Sequence, residues 1–269
     1  MVVREITAKG IVTKSNLPAA DFVVNPYGGC SHGCIYCYAR FMKRFSGHEE
    51  PWGSYVDVKT NAALLASKGA SLAGKRVFMS SVTDPYLHLE KKYALTRSIL
   101  MSLLPRGPSL GVQTKSALIT RDLDILYRFP SCEAGLTITT LDDSIRKETE
   151  PFASPIADRI AALERLRAAG ILTYVFVGPI IPGVTDWRAV VEATARLADF
   201  YYFENLNIRG SIGQGMRSWL SSRHRDILPA FERAYAPGSD YWDRMESEIR
   251  GYCSAAGIDG RVFFHHGAR

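Results

Sequence analysis

Short apolar runs rich in β-branched and aromatic residues alternate along the chain with longer segments whose apolar residues recur every three to four positions. The runs DFVVN (21–25), RVFMSS (76–81), LGVQTK (110–115), GLTITT (135–140), LTYVFVG (172–178) and YYFENLN (201–207) read as strands. The clearest helix is DRIAALERLRAAG, in which Ile160, Leu163, Leu166 and Ala169 share one face and Gly170 supplies a stop. Such alternation predicts an α/β fold with parallel strands joined by helical crossovers. Six units predict a partial (βα)6 TIM-type barrel over a closed eight-stranded one, with a doubly wound sheet as the alternative; in each, the active site belongs at the carboxyl ends of the strands. From about Gly210 the pattern changes to helix-like stretches mixed with aromatic and basic residues, ending in a candidate last strand, RVFF. No linker or internal repeat divides the chain. The expected organisation is one domain over 1–269, with a core of about 20–209 and a C-terminal extension of about 210–269.

Composition narrows the class. At 269 residues, with 46% hydrophobic and 22% charged, the chain can bury a substantial core, which argues against wholesale disorder or a fibrous repeat. The start, MVVREITAKGIV, lacks the apolar core of a secretion signal, and no apolar run approaches the roughly 18 residues of a membrane span. A cytoplasmic location without membrane attachment is expected. A net charge of +6 is compatible with an anionic partner but does not specify one.

The most informative stretch is GGCSHGCIYCYAR, which places Cys30, Cys34 and Cys37 on one loop while the rest of the chain holds only Cys132 and Cys253. Five cysteines, clustered and odd in number, point to metal binding or catalysis rather than a disulfide framework. A structural zinc site wants a fourth protein ligand, for which His32, Cys132 and Cys253 are the candidates. A 4Fe-4S cluster on three thiolates instead leaves one iron open to an exogenous chelating group.

Cys30, Cys34, Tyr36 and Cys37 match CxxxCxφC, with φ aromatic, and follow the first expected strand. In this the chain resembles the radical S-adenosylmethionine (SAM) superfamily. NPYGGCSHGCIYCYAR, SSVTDPY, TKS, TITTLDD and GPIIPGVTD, in that order over about residues 25–186, resemble its spore-photoproduct-lyase-like branch. The resemblance implies a radical SAM enzyme that uses a 4Fe-4S cluster on Cys30, Cys34 and Cys37 and reductively cleaves SAM to a 5'-deoxyadenosyl radical that abstracts hydrogen from a substrate. It further implies that Ser81, Thr83 and Asp84 hold the methionyl amino group and that Lys115 faces the carboxylate. Thr139 and Thr140 would bond the carboxylate or ribose, and Ile180 and Ile181 would wall the adenine. Tyr36 and Tyr38 match a tyrosine pair that propagates the radical in that branch, with Tyr36 also the aromatic φ residue. Two departures stand out: serine occupies the place of the branch's hydrogen-donor thiol in SSVTDP, and Gly28 stands where many relatives carry arginine. The implied partners are an electron donor such as flavodoxin or ferredoxin and a substrate that is a nucleic acid, a peptide or a small molecule. A non-catalytic zinc module is the reading from another class.

Beyond the sixth strand, Glu204, Asn205, Asn207 and Arg209 sit where barrel chemistry concentrates, and Gly210, Gly213 and Gly215 form a flexible loop. Arg217, Trp219, Arg223, His224 and Arg225 read either as a phosphate-contacting surface or as the solvated face of a helix. His265 and His266 are candidates for a second metal, although neighbours on a strand point apart. Cys253 is either a late hydrogen donor or a small buried hydrophobe.

Overall fold

The computed structural model describes residues 1–18 and 20–264. Its strands, in chain order, are β1 (Val2–Ile6), β2 (Val12–Lys14), β3 (Phe22–Val24), β4 (Tyr27–Gly28), β5 (Tyr55–Lys59), β6 (Arg76–Met79), β7 (Ser109–Thr114), β8 (Ser131–Thr137), β9 (Leu172–Ile180), β10 (Phe200–Asn205) and β11 (Gly260–Phe263). The larger sheet has the order β11-β10-β9-β8-β7-β6-β3-β2. All its neighbours are parallel except β2, which runs antiparallel on β3. The six expected strands are therefore β3 and β6 to β10 in unbroken spatial order, and the two edges do not pair, so the barrel is partial. RVFF contributes a seventh parallel strand on β10.

A second sheet, β1-β5-β4, was not legible in the pattern. β1 is almost wholly exposed, β4 has two residues, and β5 carries Asp57 in its middle, so none shows a clean period of two. The expected strand 135–140 is also displaced: β8 ends at Thr137, leaving residues 138–140 beyond it. Glu133 had hidden its true start. That carboxylate lies on the inner face, 2.8 Å from the guanidinium of Arg76 on β6.

Register aligns the strand ends. Val24 pairs with Met79, Met79 with Val112, Thr114 with Leu136, and Thr137 with Phe176, which brings the residues following each strand to one rim. Side chains alternate between two faces. Val77, Met79, Val112, Leu136, Val175 and Val177 are fully buried on one. On the other, Gly135 leaves the space that the Tyr174 ring fills; a Cβ there would lie 2.1 Å from that ring. The helix Ile156–Ala168 forms as its pattern predicts, with Leu163 and Leu166 buried, and Gly170 ends it at φ +74°. No helix among the described residues is long and apolar enough to cross a membrane.

Residues 29–37 cross the rim between β4 and a helical turn, Tyr38–Phe45, and are fastened on three sides. Gly29 has φ +83°, and a Cβ on it would lie 2.6 Å from the Tyr55 carbonyl, so β5 packs directly on the loop's start. Thr83 donates its hydroxyl to the Gly29 carbonyl at 2.5 Å. Backbone bonds run from Ile35 N–H to Thr149 O (3.0 Å) and from Phe152 N–H to His32 O (3.3 Å).

Two buried carboxylates complete the fastening. Glu150 accepts from the Tyr36 hydroxyl, from Thr139 Oγ1 and from the fully buried Arg159 guanidinium. Burial alone would raise its pKa, but Arg159 and Lys115 outweigh burial and hold it below the ordinary range. Asp84 accepts from Tyr86 N–H (2.8 Å), Thr114 Oγ1 (2.6 Å) and Lys115 N–H (2.9 Å), and its Oδ2 lies 3.1 Å from His32 Nε2. Burial opposes its ionisation too; His32 and these donors prevail and bring its pKa down to about 2.

Because the folded pKa of Asp84 lies below its unfolded value, its stabilisation is complete above about pH 4 and is lost as pH falls towards 2. Asp84→Asn is expected to lower unfolding free energy by about 2 kcal/mol at pH 7, with the gap to the unsubstituted protein closing near pH 2. Urea titrations across that range measure it; a gap that is independent of pH would contradict this account.

Candidate active site

At the rim, a cavity of about 120 Å³ is lined by Cys30, Cys34 and Cys37, by residues 80–84 after β6, by Gln113 and Thr114 of β7 with Lys115 just beyond it, and by Thr137 of β8. Cys30 and Cys34 are buried and Cys37 is half-buried. Burial pushes the Cys34 thiol up to about 12, against the opposing pull of Lys115, and raises Cys30 and Cys37 as well. Thiolates in so dry a place require a cationic partner, which is what a metal core supplies. Among the described residues no three His, Cys, Asp or Glu side chains close on one point as a single ion demands.

The hydroxyl of Ser80 opens the question of a ligand. It is buried, lines this cavity and has no hydrogen-bond partner within the protein. An orphaned buried hydroxyl costs stability unless something else satisfies it. Lys115 adds positive charge to the same wall: burial would lower its pKa, but Cys34 and Glu150 reverse this and raise it, and its Nζ stands 5.7 Å from the Tyr36 ring centroid. Soft donors on one side, with a free hydroxyl and an ammonium facing them, fit an iron-sulfur cluster carrying a zwitterionic ligand.

Gln113 also lines a second, inner cavity of about 240 Å³, together with Phe78, Glu133, Tyr174, Phe176, Tyr202 and Glu204. Its walls are ordered by aromatic packing: Tyr174 stacks on Phe200 at 5.0 Å, Tyr202 meets both rings edge-on at 5.3 Å, and Arg261 lies 4.0 Å over Phe200. Leu17 and Phe263 line it from the two open edges of the barrel.

Of the residues singled out from sequence, Cys30, Cys34, Cys37, Tyr38, Ser81, Thr83, Asp84 and Lys115 line the rim cavity. Their polar groups are unequally free. Thr83 and Asp84 are spent on fastening the loop, Ser81 Oγ accepts from Asn25 at 3.3 Å, and the Tyr38 hydroxyl is donated to the Ser81 carbonyl. Tyr36, Thr139, Thr140 and Ile181 do not line it. Tyr36 and Thr139 bond Glu150, Thr140 Oγ1 accepts from Asp142 N–H at 3.0 Å, and Ile181 is in the hydrophobic core. Ile180 is buried likewise.

The zinc-completing candidates do not close a site. Cys132 sits on β8 in register with Leu110, and Cys253 lies in the helix Tyr241–Ala256 against Gly260. His32 lines the cavity, but its ring nitrogens face Asp84 and the Phe152 carbonyl. The basic candidates of the C-terminal segment are largely paired: Arg217 with Glu232 at 2.8 Å, His224 and Trp219 both with Glu148 at 2.8 Å, and Arg223 with Glu148 at 3.5 Å. Glu204 lines the inner cavity, Asn205 is buried, and Asn207 closes a turn on Arg209 N–H. His265 and His266 lie outside the described residues. Sequence reasoning passed over Ser80, Gln113, Glu150 and Arg159; only the strand-end position of Ser80 beside Ser81 offered a signal.

With this geometry in view, comparisons with known proteins are specific. The Radical SAM superfamily model matches residues 24–195. An uncharacterized protein of Methanocaldococcus jannaschii is 41% identical over 207 residues, which cover 77% of this chain and 78% of that protein. A "Radical SAM Nalpha-GlyT isomerase" of Pseudomonas phage M6 is 28% identical over 182 residues, covering 65% of this chain and 36% of that protein. Spore photoproduct lyase complexed with dinucleoside spore photoproduct superposes with a TM-score of 0.65 at 15% identity, over 97% of this chain and 82% of that one, a likeness of fold. The chain, a partial barrel with its cysteine loop at the strand ends, belongs to the radical SAM superfamily.

Proposed function

We propose that Cys30, Cys34 and Cys37 hold a 4Fe-4S cluster in the rim cavity and that the protein is an enzyme acting on its substrate through reductive cleavage of SAM. The observation that carries this is one cavity whose walls combine all three cysteines of the loop with the unsatisfied hydroxyl of Ser80. When bound, the reduced cluster would supply one electron to the sulfonium of SAM, splitting it into methionine and a 5'-deoxyadenosyl radical able to abstract a substrate hydrogen. The chain's own residues bind and orient. Ser80 offers its free hydroxyl to the methionyl amino group, and Lys115 offers charge to the carboxylate. Asp84 and Thr83 position the cysteine loop. Thr139 and Tyr36 act through Glu150, behind the cavity, Thr140 fixes the turn after β8, and Ile181 supports the rim from the core.

The substrate reading that fits the inner cavity best is a nucleic-acid component whose planar base enters among the aromatic side chains. Phe78, Tyr174, Phe176 and Tyr202 offer flat apolar surface, and Gln113 connects this space with the rim cavity. The dinucleoside named in the lyase complex is compatible with such a substrate. A serine in place of the donor thiol argues that the lyase reaction itself does not carry over, since an O–H bond is too strong to replace S–H as a ready hydrogen-atom donor. We take the chain as a single domain working in the reducing cytoplasm, where free cysteines persist.

Anaerobic reconstitution is expected to load about four irons and four sulfides per chain, with dithionite then releasing 5'-deoxyadenosine from SAM. Cys34→Ala should abolish both. One zinc per chain without sulfide would overturn the assignment. Ser80→Ala should weaken SAM binding by about fivefold in calorimetry, as loss of one hydrogen bond of about 1 kcal/mol requires, while the ligand-free chain unfolds no more easily than the parent, because it loses a buried hydroxyl that has no protein partner. Oligonucleotide affinity should fall steeply with salt, by about 0.7 in log K per log salt for each phosphate contact with a single strand. Binding of a peptide or metabolite that is indifferent to salt, with no oligonucleotide binding, would redirect the substrate assignment.

A further inference from the structure

The cysteine loop has an outer surface that the proposed chemistry does not use. Directly after Cys37, the turn Tyr38–Phe45 carries Phe41 and Phe45, 44% and 68% exposed, and on the loop itself Gly33 is flanked by Phe152, 66% exposed. These three phenylalanines offer apolar surface on both flanks of the cysteine loop. Arg44 stands 4.6 Å over the Phe45 ring and 5.6 Å from that of Phe41, which holds a guanidinium and two aromatic faces in one arrangement.

The turn itself carries charge of one sign. Residues 38–45 include Arg40, Lys43 and Arg44 and no carboxylate. Among the described residues none of the three is in an ion pair: Arg40 donates to the Cys34 and Ile35 carbonyls, Lys43 to the Glu49 carbonyl, and Arg44 meets only the two rings. The next carboxylates along the chain are Glu49, beyond the turn, and Glu50, which is bound to His48. Arg217 and Arg223, by contrast, are each paired with a glutamate.

We propose that the turn Tyr38–Phe45, with Phe152, is the docking surface for a small acidic electron-transfer protein that reduces the cluster. The inference rests on the cysteines holding that cluster. Lys43 and Arg44 steer an acidic rim, while the phenylalanines meet the apolar edge of the donor's redox group next to the loop that carries the thiolates. In the transfer, one electron leaves an anionic flavin hydroquinone, which becomes the neutral semiquinone, and enters the cluster; no bond forms and no proton crosses. A single-stranded nucleic acid shares the taste for arginine and aromatic faces. The acidic protein is favoured because the surface flanks the cysteine loop from outside, whereas the cavity suited to a base lies within the barrel.

The test uses the full chain with its cluster, the double variant K43E/R44E, and Phe45→Ser, with an acidic flavodoxin hydroquinone as donor and dithionite as the small-molecule control. Iron content is measured first, and loss of the cluster reading at that stage is separate from failure of the docking. At low salt, K43E/R44E is expected to slow cluster bleaching by flavodoxin about tenfold or more, and added salt to slow the unsubstituted protein towards it. Phe45→Ser should slow it about threefold, and the dithionite rate should not change. A fluorescence titration with oxidised flavodoxin should show the same order of affinities for the chain without its cluster. Equal flavodoxin rates in the double variant and the parent overturn the proposal. So does a double variant that loses single-stranded oligonucleotide binding while flavodoxin reduces it normally, which would assign the surface to nucleic acid.

Discussion

Asp84 joins three parts of the rim through one buried carboxylate. It takes hydrogen bonds from the backbone of Tyr86 on its own loop and from Thr114 and Lys115 at the end of β7, and it faces His32 inside the cysteine loop. A carboxylate without water is stable only when such donors replace the water. The arrangement is therefore mutual: strand register brings the donors together, and the charge keeps them from separating. Residues 29–37 have little regular structure of their own, so without this tie the three thiols would share a sequence neighbourhood but not a cavity wall.

Glu150 repeats the device behind the loop. Its carboxylate gathers Tyr36, Thr139 and Arg159, and Arg159 in turn donates to the carbonyls of Thr137 and Ser154 at 2.9 Å. The φ tyrosine of the cysteine motif is thereby joined to the end of β8 and to the helix Ile156–Ala168. With both carboxylates engaged by the fold, the cavity wall keeps a hydroxyl without a protein partner, an ammonium and three sulfurs. That division of labour explains why residues expected to touch the cofactor, Asp84 and Thr83 above all, are already bonded to protein while Ser80 is not.

The inner cavity and the outer surface put different demands on one barrel. Inside, aromatic rings wall the cavity beneath the rim, with Tyr174 packed on Gly135, and Leu17 and Phe263 line it from the unpaired edges at β2 and β11. Outside, the turn after Cys37 presents phenylalanine and arginine.

Much of this was written locally. The short apolar runs in RVFMSS and LGVQTK, the helical face of DRIAALERLRAAG and the spacing of Cys30, Cys34 and Cys37 are short-range patterns, and each determined its element or motif without help from the rest of the chain. What the sequence could not express is which polar groups would be consumed by the fold. Ser80 and Ser81 are adjacent and chemically alike, yet Asn25, 56 residues from Ser81, reaches one and leaves the other without a partner. Glu150 and Arg159 look like surface charges on either side of a turn until β8, the cysteine loop and a helix close over them. Hydrogen bonding and burial depend on distances between residues far apart in the chain, so tertiary packing alone decided which side chains were left free to bind a ligand.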